Sequence, residues 1–303
     1  MSFFGKDKVV LALGGGGSRG LAHLGVLQVL EEEGIPIHGI LGTSVGALVG
    51  ASYALRPNAR LLIRETLKYL RSERFMNDHF RRMMFGANEA EQNFVQSILE
   101  SIRKSINFTN LIRKPSILDG SKLQQVVSEF VEDKKFEDTQ IPFAVPAIDL
   151  RPPMEVLLTA GSLRPAVLAS CSLPGFFPPV EMGEMLLADI GVIGSVPVRA
   201  AREFIPGALV IAVDLSNDLK EIETVDRGWE CILRCEAIAA RKLREIELQS
   251  ADVALRPDLG YKYWSGFSEL ENLVEAGMNI ARAHIDEIRN RLRGVLRFLR
   301  VKA

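Results

Sequence analysis

Two short apolar runs, each stopped by glycines and followed by a helix-like stretch, constrain this chain more than any other feature. Val9-Val10-Leu11-Ala12-Leu13 is continuous enough to be a strand buried on both faces, and it ends at Gly14-Gly15-Gly16-Gly17. Leu21, Leu24, Leu27, Val29 and Leu30 then recur at helical spacing as far as Gly34, which stands where a left-handed helix C-cap belongs. Ile37 to Leu41 forms a second run, breaks at Gly42-Thr43-Ser44-Val45-Gly46, and passes into the small-residue helix Ala47 to Leu55. Strand, glycine turn and helix, twice over, is the opening of a parallel α/β sheet.

The rest of the chain divides by texture. From Arg60 to Lys135 the strand-like runs vanish, so a helical cap insertion is expected over about 60–135. Within it Phe75, Met76, Phe80, Met83, Met84 and Phe85 cluster beside Arg74, Arg81 and Arg82. The favoured reading is a helix packed on the sheet, ahead of an acyl-pocket lining or a membrane contact. Strands resume at Phe143–Leu150, Glu155–Thr159, Met185–Ala188 and Leu209–Val213. A domain of residues 1–220 is therefore expected, with a mainly helical extension, 221–303, packed on it and broken only at Ala254–Pro257. The last helix carries seven basic side chains between Arg282 and Ala303, against Asp286 and Glu287. Its stripe of Ile285, Ile288, Leu292, Leu296 and Leu299 is expected to pack on the core, although such a helix also suits anionic lipid.

Composition excludes several classes. Lys and Arg total 37 against 38 Asp and Glu, giving a net charge of −1, which argues against a nucleic-acid partner. The mean hydropathy of +0.11 is slightly apolar, yet no uninterrupted run approaches the ~20 residues that span a bilayer. The first apolar run leads straight into glycines without a small-residue cleavage site, so it reads as a strand and not a signal peptide. Cys171, Cys231 and Cys235 are too few for a disulfide framework, and no third ligand stands at metal spacing. Reduced, buried thiols in a cytosolic protein are expected.

The glycine turns carry the chemistry. Gly42-x-Ser44-x-Gly46 between a strand and a helix is the pattern of a nucleophile elbow, with Thr43 and Val45 flanking the serine. Gly15, Gly17 and Gly20 fit a dinucleotide fingerprint, but the acidic residue that should close the second strand is missing, and Gly20-Leu21-Ala22 is no Walker ending. What suits the loop Gly15-Gly16-Gly17-Ser18-Arg19-Gly20 is an oxyanion hole beside Ser44, where backbone N–H groups converge on developing negative charge. A serine also needs a base. His284 lies mid-helix, His23 beside the loop reads as structural, and His38 and His79 have no fitting context, so a histidine triad is disfavoured. Among aspartates at strand ends, Asp149, Asp189 and Asp214 compete.

Gly15–Gly20 followed by Ala22-His23-Leu24-Gly25-Val26-Leu27, then Gly42–Gly46, then Ala169-Ser170-Cys171-Ser172-Leu173-Pro174-Gly175-Phe176-Phe177-Pro178-Pro179 and Asp189, resembles the patatin-like phospholipase family over residues 8 to 215. The resemblance implies a three-layer sandwich around a mainly parallel central sheet. It also implies a Ser–Asp dyad hydrolase of lipid acyl esters, a phospholipase, lysophospholipase or esterase, with no metal or cofactor. Ser44 would be the nucleophile, Asp189 the base and Gly15–Gly20 the oxyanion hole, with burial against Phe176-Phe177 raising the Asp189 pKa. A lipid or acyl-ester substrate follows, in a cytoplasmic protein with room for peripheral contact at the inner membrane surface and for a homo-oligomer. Ile190 stands where the family usually has glycine, and Ser195 where it usually has asparagine. If position 190 sat at positive φ, a β-branched residue would be strained there. The alternative is then a weak or inactive hydrolase that binds acyl ligands or a protein.

Overall fold

The computed structural model describes residues 8–76, 116, 118–192, 194–216, 219, 221–222, 224–226, 228–259 and 268–300. Its centre is β1 (Val9–Leu13), every residue of which is buried. Aliphatic side chains alternate across this strand into two cores. Val9, Leu11 and Leu13 face one and Val10 and Ala12 the other, so helices must cover both faces of the sheet.

Around β1 lie β2 (Gly39–Gly42), β3 (Phe143–Asp149), β4 (Met154–Leu158), β5 (Val180–Met182), β6 (Met185–Ala188), β7 (Leu209–Val213) and β8 (Val253–Leu255). The order is β5-β6-β3-β2-β1-β7-β8, with β4 also paired to β3. The pairs β1–β2, β1–β7, β2–β3 and β7–β8 are parallel, while β3–β4, β3–β6 and β5–β6 are antiparallel. The sheet is therefore mixed and mostly parallel, flanked by helices, and the fold is α/β as expected.

On the first face pack α1 (Leu21–Glu32), α2 (Val45–Leu55) and α3 (Ala59–Leu70), with the short α4 (Glu73–Met76) at the end of α3. The same side carries α5 (Ser121–Phe130) and α6 (Leu163–Cys171). The second face carries α7 (Val198–Phe204) and α8 (Gly228–Gln249), the latter through Leu248. The last helix, α9 (Ser268–Arg300), lies against α1. Gly25 and Gly277 permit that crossing: a Cβ on either would sit 1.9 Å from a backbone carbonyl of the other helix, those of Val274 and Ala22. The described part of the expected stripe on α9 reaches the core, with Ile288 fully buried and Ile285 and Leu292 packed beside it; the side chains of Leu296 and Leu299 lie outside what is described.

Gly34 closes α1 at φ 63°, and the Ile35 N–H reaches back to the Leu30 carbonyl at 2.9 Å. Of the Phe75–Phe85 cluster, Phe75 is buried and Phe80, Met83, Met84, Phe85, Arg81 and Arg82 lie outside the described residues. Two expectations fail here. The short 254–257 segment is not a mere break between helices, because Val253–Leu255 pairs in parallel with β7 and adds a strand to the main sheet. Nor are all three thiols buried: Cys231 and Cys235 are exposed on α8, whose buried side chains are Arg244, Glu247 and Leu248.

Candidate active site

The turn from β2 into α2 holds Ser44 at φ 55° and ψ −122°, and Ser44 is the one non-glycine residue at positive φ among the described residues. Such a conformation costs roughly 1–3 kcal/mol and persists where the surroundings impose it. Several hydrogen bonds do so. The Thr43 N–H donates to the Leu13 carbonyl at 3.0 Å, and the Gly46 N–H to the Thr43 carbonyl at 2.8 Å. The Ser44 N–H donates to Ser170 Oγ at 3.0 Å, and that hydroxyl donates to the Pro146 carbonyl on β3 at 3.1 Å. Only glycine fits on either side of the serine. A Cβ on Gly42 would lie 2.1 Å from the Gly46 carbonyl oxygen, and one on Gly46 2.2 Å from that of Leu13.

Asp189 follows β6, and its N–H donates to the Ser172 carbonyl at 3.0 Å. Its carboxylate is 3% exposed; Oδ1 accepts from the Gly191 N–H at 2.7 Å, and the Ser44 hydroxyl lies beside the same carboxylate, where it acts to lower the pKa. Burial pushes the Asp189 pKa up to about 7, with the Gly191 hydrogen bond and the Ser44 hydroxyl working against the rise. Cys171, at the end of α6, lies beside Ser44 on the wall of the same cavity. Burial first, then the nearby Asp189 charge, push its pKa far up, so it is a neutral thiol at the serine. Asp149 and Asp214 serve other ends. Asp149 accepts from the Leu186 and Arg151 N–H groups, and Asp214 accepts from the Ser216 N–H and pairs with Arg244.

The loop after β1 lies across from the elbow. The Gly15 N–H donates to the Ser195 carbonyl at 2.8 Å and the Arg19 N–H to the Gly16 carbonyl at 3.3 Å, and the Arg19 side chain also donates to that oxygen. Among the described residues, the N–H groups of Gly16, Gly17 and Ser18 have no such engagement. The loop touches the elbow directly, since a Cβ on Gly20 would collide with Val45 at 2.1 Å. Behind it, His23 is fully buried and donates from Nε2 to the Gly14 carbonyl at 2.8 Å, with its pKa lowered by burial to about 4. The other described histidines bond elsewhere, His38 to the Val9 N–H and His284 to the Ile280 carbonyl.

Ser44, Asp189, Gly17, Ser18 and Gly20 line one cavity of about 150 Å³. Its remaining wall is almost wholly apolar, including Leu24, Leu48, Leu62, Phe75, Phe130 and Phe177. Ile190 sits just beyond, buried and without positive φ, so the strain expected of a β-branched residue there does not arise. No group of three or more His, Cys, Asp or Glu among the described residues is placed to hold a metal ion. Ser170 is a residue whose role is not legible in the sequence. Ser170 belongs to a quoted motif, but a hydroxyl reaching a backbone 126 positions away leaves no local signal.

The family model for patatin-like phospholipases matches residues 11–202, which contain Ser44, Asp189 and the Gly15–Gly20 loop. The chain belongs to the patatin-like phospholipase family. Among its relatives, an uncharacterised NTE family protein of Mycobacterium tuberculosis is 34% identical over 210 residues, covering 69% of this chain and 49% of that protein. The human patatin-like phospholipase domain-containing protein 6 is 30% identical over 230 residues, covering 74% of this chain and 15% of that one. This patatin-like chain thus spans about half the length of the mycobacterial relative and far less of the human one. Among solved structures, Legionella pneumophila VipD aligns with a TM-score of 0.47 at 15% identity, over 93% of this chain and 67% of that one. Pseudomonas aeruginosa ExoU, in its complex with SpcU, aligns at 0.45 and 15%, over 96% and 53%.

Proposed function

We propose that the chain is a serine acyl hydrolase of carboxylic esters of lipids, working through Ser44 and Asp189. One observation carries this reading. A serine held in a strained elbow shares one apolar cavity with a buried aspartate whose pKa it influences and whose pKa lies near neutrality. An ordinary aspartate, at ~3.9, is a feeble base for a serine hydroxyl, and a carboxylate raised toward 7 is a far better match. Family membership and the name of the human relative support a lipid ester as the substrate.

In the proposed reaction Ser44 Oγ attacks the acyl carbonyl while its proton passes to Asp189. The carbonyl oxygen gains the electron pair and is met by the Gly16, Gly17 and Ser18 N–H groups and by the amino end of α2. Collapse expels the alcohol, which takes the proton from Asp189 and leaves an acyl ester on Ser44. Water then attacks that ester, again giving a proton to Asp189, and collapse releases the fatty acid and expels Ser44 Oγ, which takes that proton back from Asp189. The Gly191 N–H fixes one carboxylate oxygen, leaving the carboxylate oriented toward the serine. The acyl chain lies along the apolar wall, which α3, α4 and α5 close through Leu62, Phe75 and Phe130. The steps balance without metal or cofactor. No described helix is long and apolar enough to cross a membrane, and a cytoplasmic protein meeting lipid peripherally belongs to the same proposal.

Intact-mass analysis after a fluorophosphonate probe tests it. One adduct on the wild type and none on Ser44→Ala is the expected result. A folded wild type that takes no adduct removes the hydrolase reading and favours an acyl-ligand or protein-binding module.

A further inference from the structure

The cavity beside Ser44 has a direction. On α2, which begins at the serine, Val45, Leu48, Val49 and Ser52 line it. Their spacing puts all four on one face of the helix, so the cavity follows α2 away from Ser44. From Val45 to Ser52 that face advances about 10 Å, at roughly 1.5 Å per residue. Helix α5 marks the same course. Leu123, near its start, clusters with Phe177 and Cys171, the thiol beside Ser44. Phe130, its last residue, has its carbonyl oxygen 3.0 Å from Ser52 Oγ. Leu123, Val126 and Phe130 all line the cavity, and the seven-residue step between the first and the last again spans about 10 Å.

Aromatic rings stand across the far end. The Tyr69 ring meets Phe130 edge-on with centroids 5.1 Å apart and tilts against Phe75 at 5.3 Å, and all three line the cavity. Ring pairs of this kind favour fixed geometries, and Phe75 is buried besides, so the trio makes a floor.

Length and volume agree on what fits above it. An extended chain gains about 1.2 Å per bond, from roughly 3.6 Å over the three bonds of a residue, so about 10 Å takes eight or nine bonds. The cavity of about 150 Å³ holds roughly ten to fifteen groups of water size, at ~10–15 Å³ each. Among the described lining residues no Lys, Arg or His appears and Asp189 is the one carboxylate, so the wall suits an alkyl chain along its whole length.

We propose that Phe130, Tyr69 and Phe75 set the acyl-chain length, and that the preferred substrate is the ester of a straight-chain acid of about ten carbons. The inference rests on the hydrolase reading for the ester, while the length limit belongs to the cavity alone. Each methylene that reaches the wall adds about 4-fold to kcat/KM, and a chain that meets the rings gains nothing further. The rings stand about 10 Å from Ser44 and act on length, not on the bond being cut.

Two series test it: turnover of p-nitrophenyl esters from four to sixteen carbons, and binding of straight-chain alcohols from six to fourteen carbons to Ser44→Ala. In the wild type kcat/KM is expected to climb to about ten carbons and to stand at least ~10-fold lower at sixteen, where the chain overpacks the floor. Phe130→Ala should move the optimum about three carbons longer, and Val49→Phe, midway along the α2 face, about as far the other way. Alcohol binding should follow the same lengths. A loss of structure would lower every length alike, so opposite shifts assign the residues to specificity. Turnover with a flat profile beyond ten carbons, or an optimum that neither variant moves, overturns the length limit and leaves the hydrolase standing. No turnover at any length, with alcohol binding still cut off near ten carbons and extended by Phe130→Ala, upholds the limit and removes the hydrolase. Neither turnover nor length-dependent binding removes both.

Discussion

The two glycine turns at the carboxyl ends of β1 and β2 look alike in sequence and work in opposite ways. At the β2 turn the glycines sit beside the functional residue. Gly42 and Gly46 let the backbone fold onto itself and onto the end of β1, and Ser44 is thereby forced to φ 55° with its side chain projecting. At the β1 turn the glycines themselves are the proposed oxyanion surface. Gly17 lines the cavity without a side chain, and Gly16 is seated on Leu215, whose Cβ lies 2.8 Å from where a Cβ on Gly16 would be. One turn presents a side chain by straining a backbone, and the other presents a backbone by dispensing with side chains. They touch through Gly20 and Val45, so a change in either is felt by both.

The largest expected effect comes from the tighter turn. Gly46→Ala places a methyl against two carbonyl oxygens, those of Leu13 and Gly14, at 2.2 and 2.8 Å, and neither backbone has room to retreat. Overpacking of this kind costs roughly 1–3 kcal/mol and often more. Ester turnover should be abolished and the thermal midpoint should drop. A variant with wild-type melting and turnover would show that the elbow is looser than these distances imply.

Asp189→Asn separates chemistry from folding, with turnover down ~10²–10⁴-fold and no loss of stability. The pH dependence has a defined sign. The folded pKa, about 7, lies above the ordinary value of 3.8, so the native state holds more protons than the unfolded one between those values. Asp189 therefore costs stability progressively as pH rises through that window, and the cost is full above about 7. Turnover, which needs the carboxylate, should rise with pH around a midpoint near 7. The difference in stability between the asparagine variant and the wild type should grow over the same range. Parallel pH–stability curves for the two proteins would remove the buried, raised aspartate from the account.

How far these turns were legible depends on what each residue answers to. β1, β6 and β7 lie where their aliphatic runs placed them, because two-sided burial leaves a plain local signature. β2 was expected at Ile37–Leu41 and runs Gly39–Gly42, since its bounds follow from pairing with β1, Val10 opposite Gly39, and not from its own apolar residues. β5, a three-residue edge strand after Pro178-Pro179, had too little sequence to announce itself. Ser44 and Asp189 were legible as strand-end residues, but their meeting at one cavity depends on β6 lying antiparallel to β3. The same limit appears in α8, where a helical stripe of Ile, Leu, Cys and Ala reads as core and faces outward. Periodicity shows that a face exists, and only tertiary packing decides which way it turns.

Gly16→Ala tests the other turn directly. Its φ of 169° is open to any residue, so the effect comes from the Leu215 side chain alone, which must yield or lift the loop. Losing the alignment of one oxyanion donor is worth ~10²–10³-fold in kcat, with KM changed less and melting little affected. An unchanged kcat would move the oxyanion site away from this loop.

The smallest effect is expected one layer further back, at His23. Its Nε2–H supplies the hydrogen bond to the Gly14 carbonyl where the loop begins. His23→Leu leaves that buried oxygen without its imidazole donor, at a cost of about 1–3 kcal/mol shared between stability and loop placement, so kcat should fall ~10-fold. His23→Gln, which keeps an N–H donor, should recover most of it. The imidazole also has a titration of its own. Its folded pKa, about 4, lies below the ordinary 6.5, so the unfolded chain binds the extra proton and the native state loses stability as pH falls from 6.5 toward 4. That slope is opposite to the one Asp189 contributes over an overlapping range. Thermal melts of His23→Gln and Asp189→Asn against wild type should therefore diverge in opposite directions below pH 6.5. If the two differences run parallel, one of the buried groups is not in the protonation state that its turn requires.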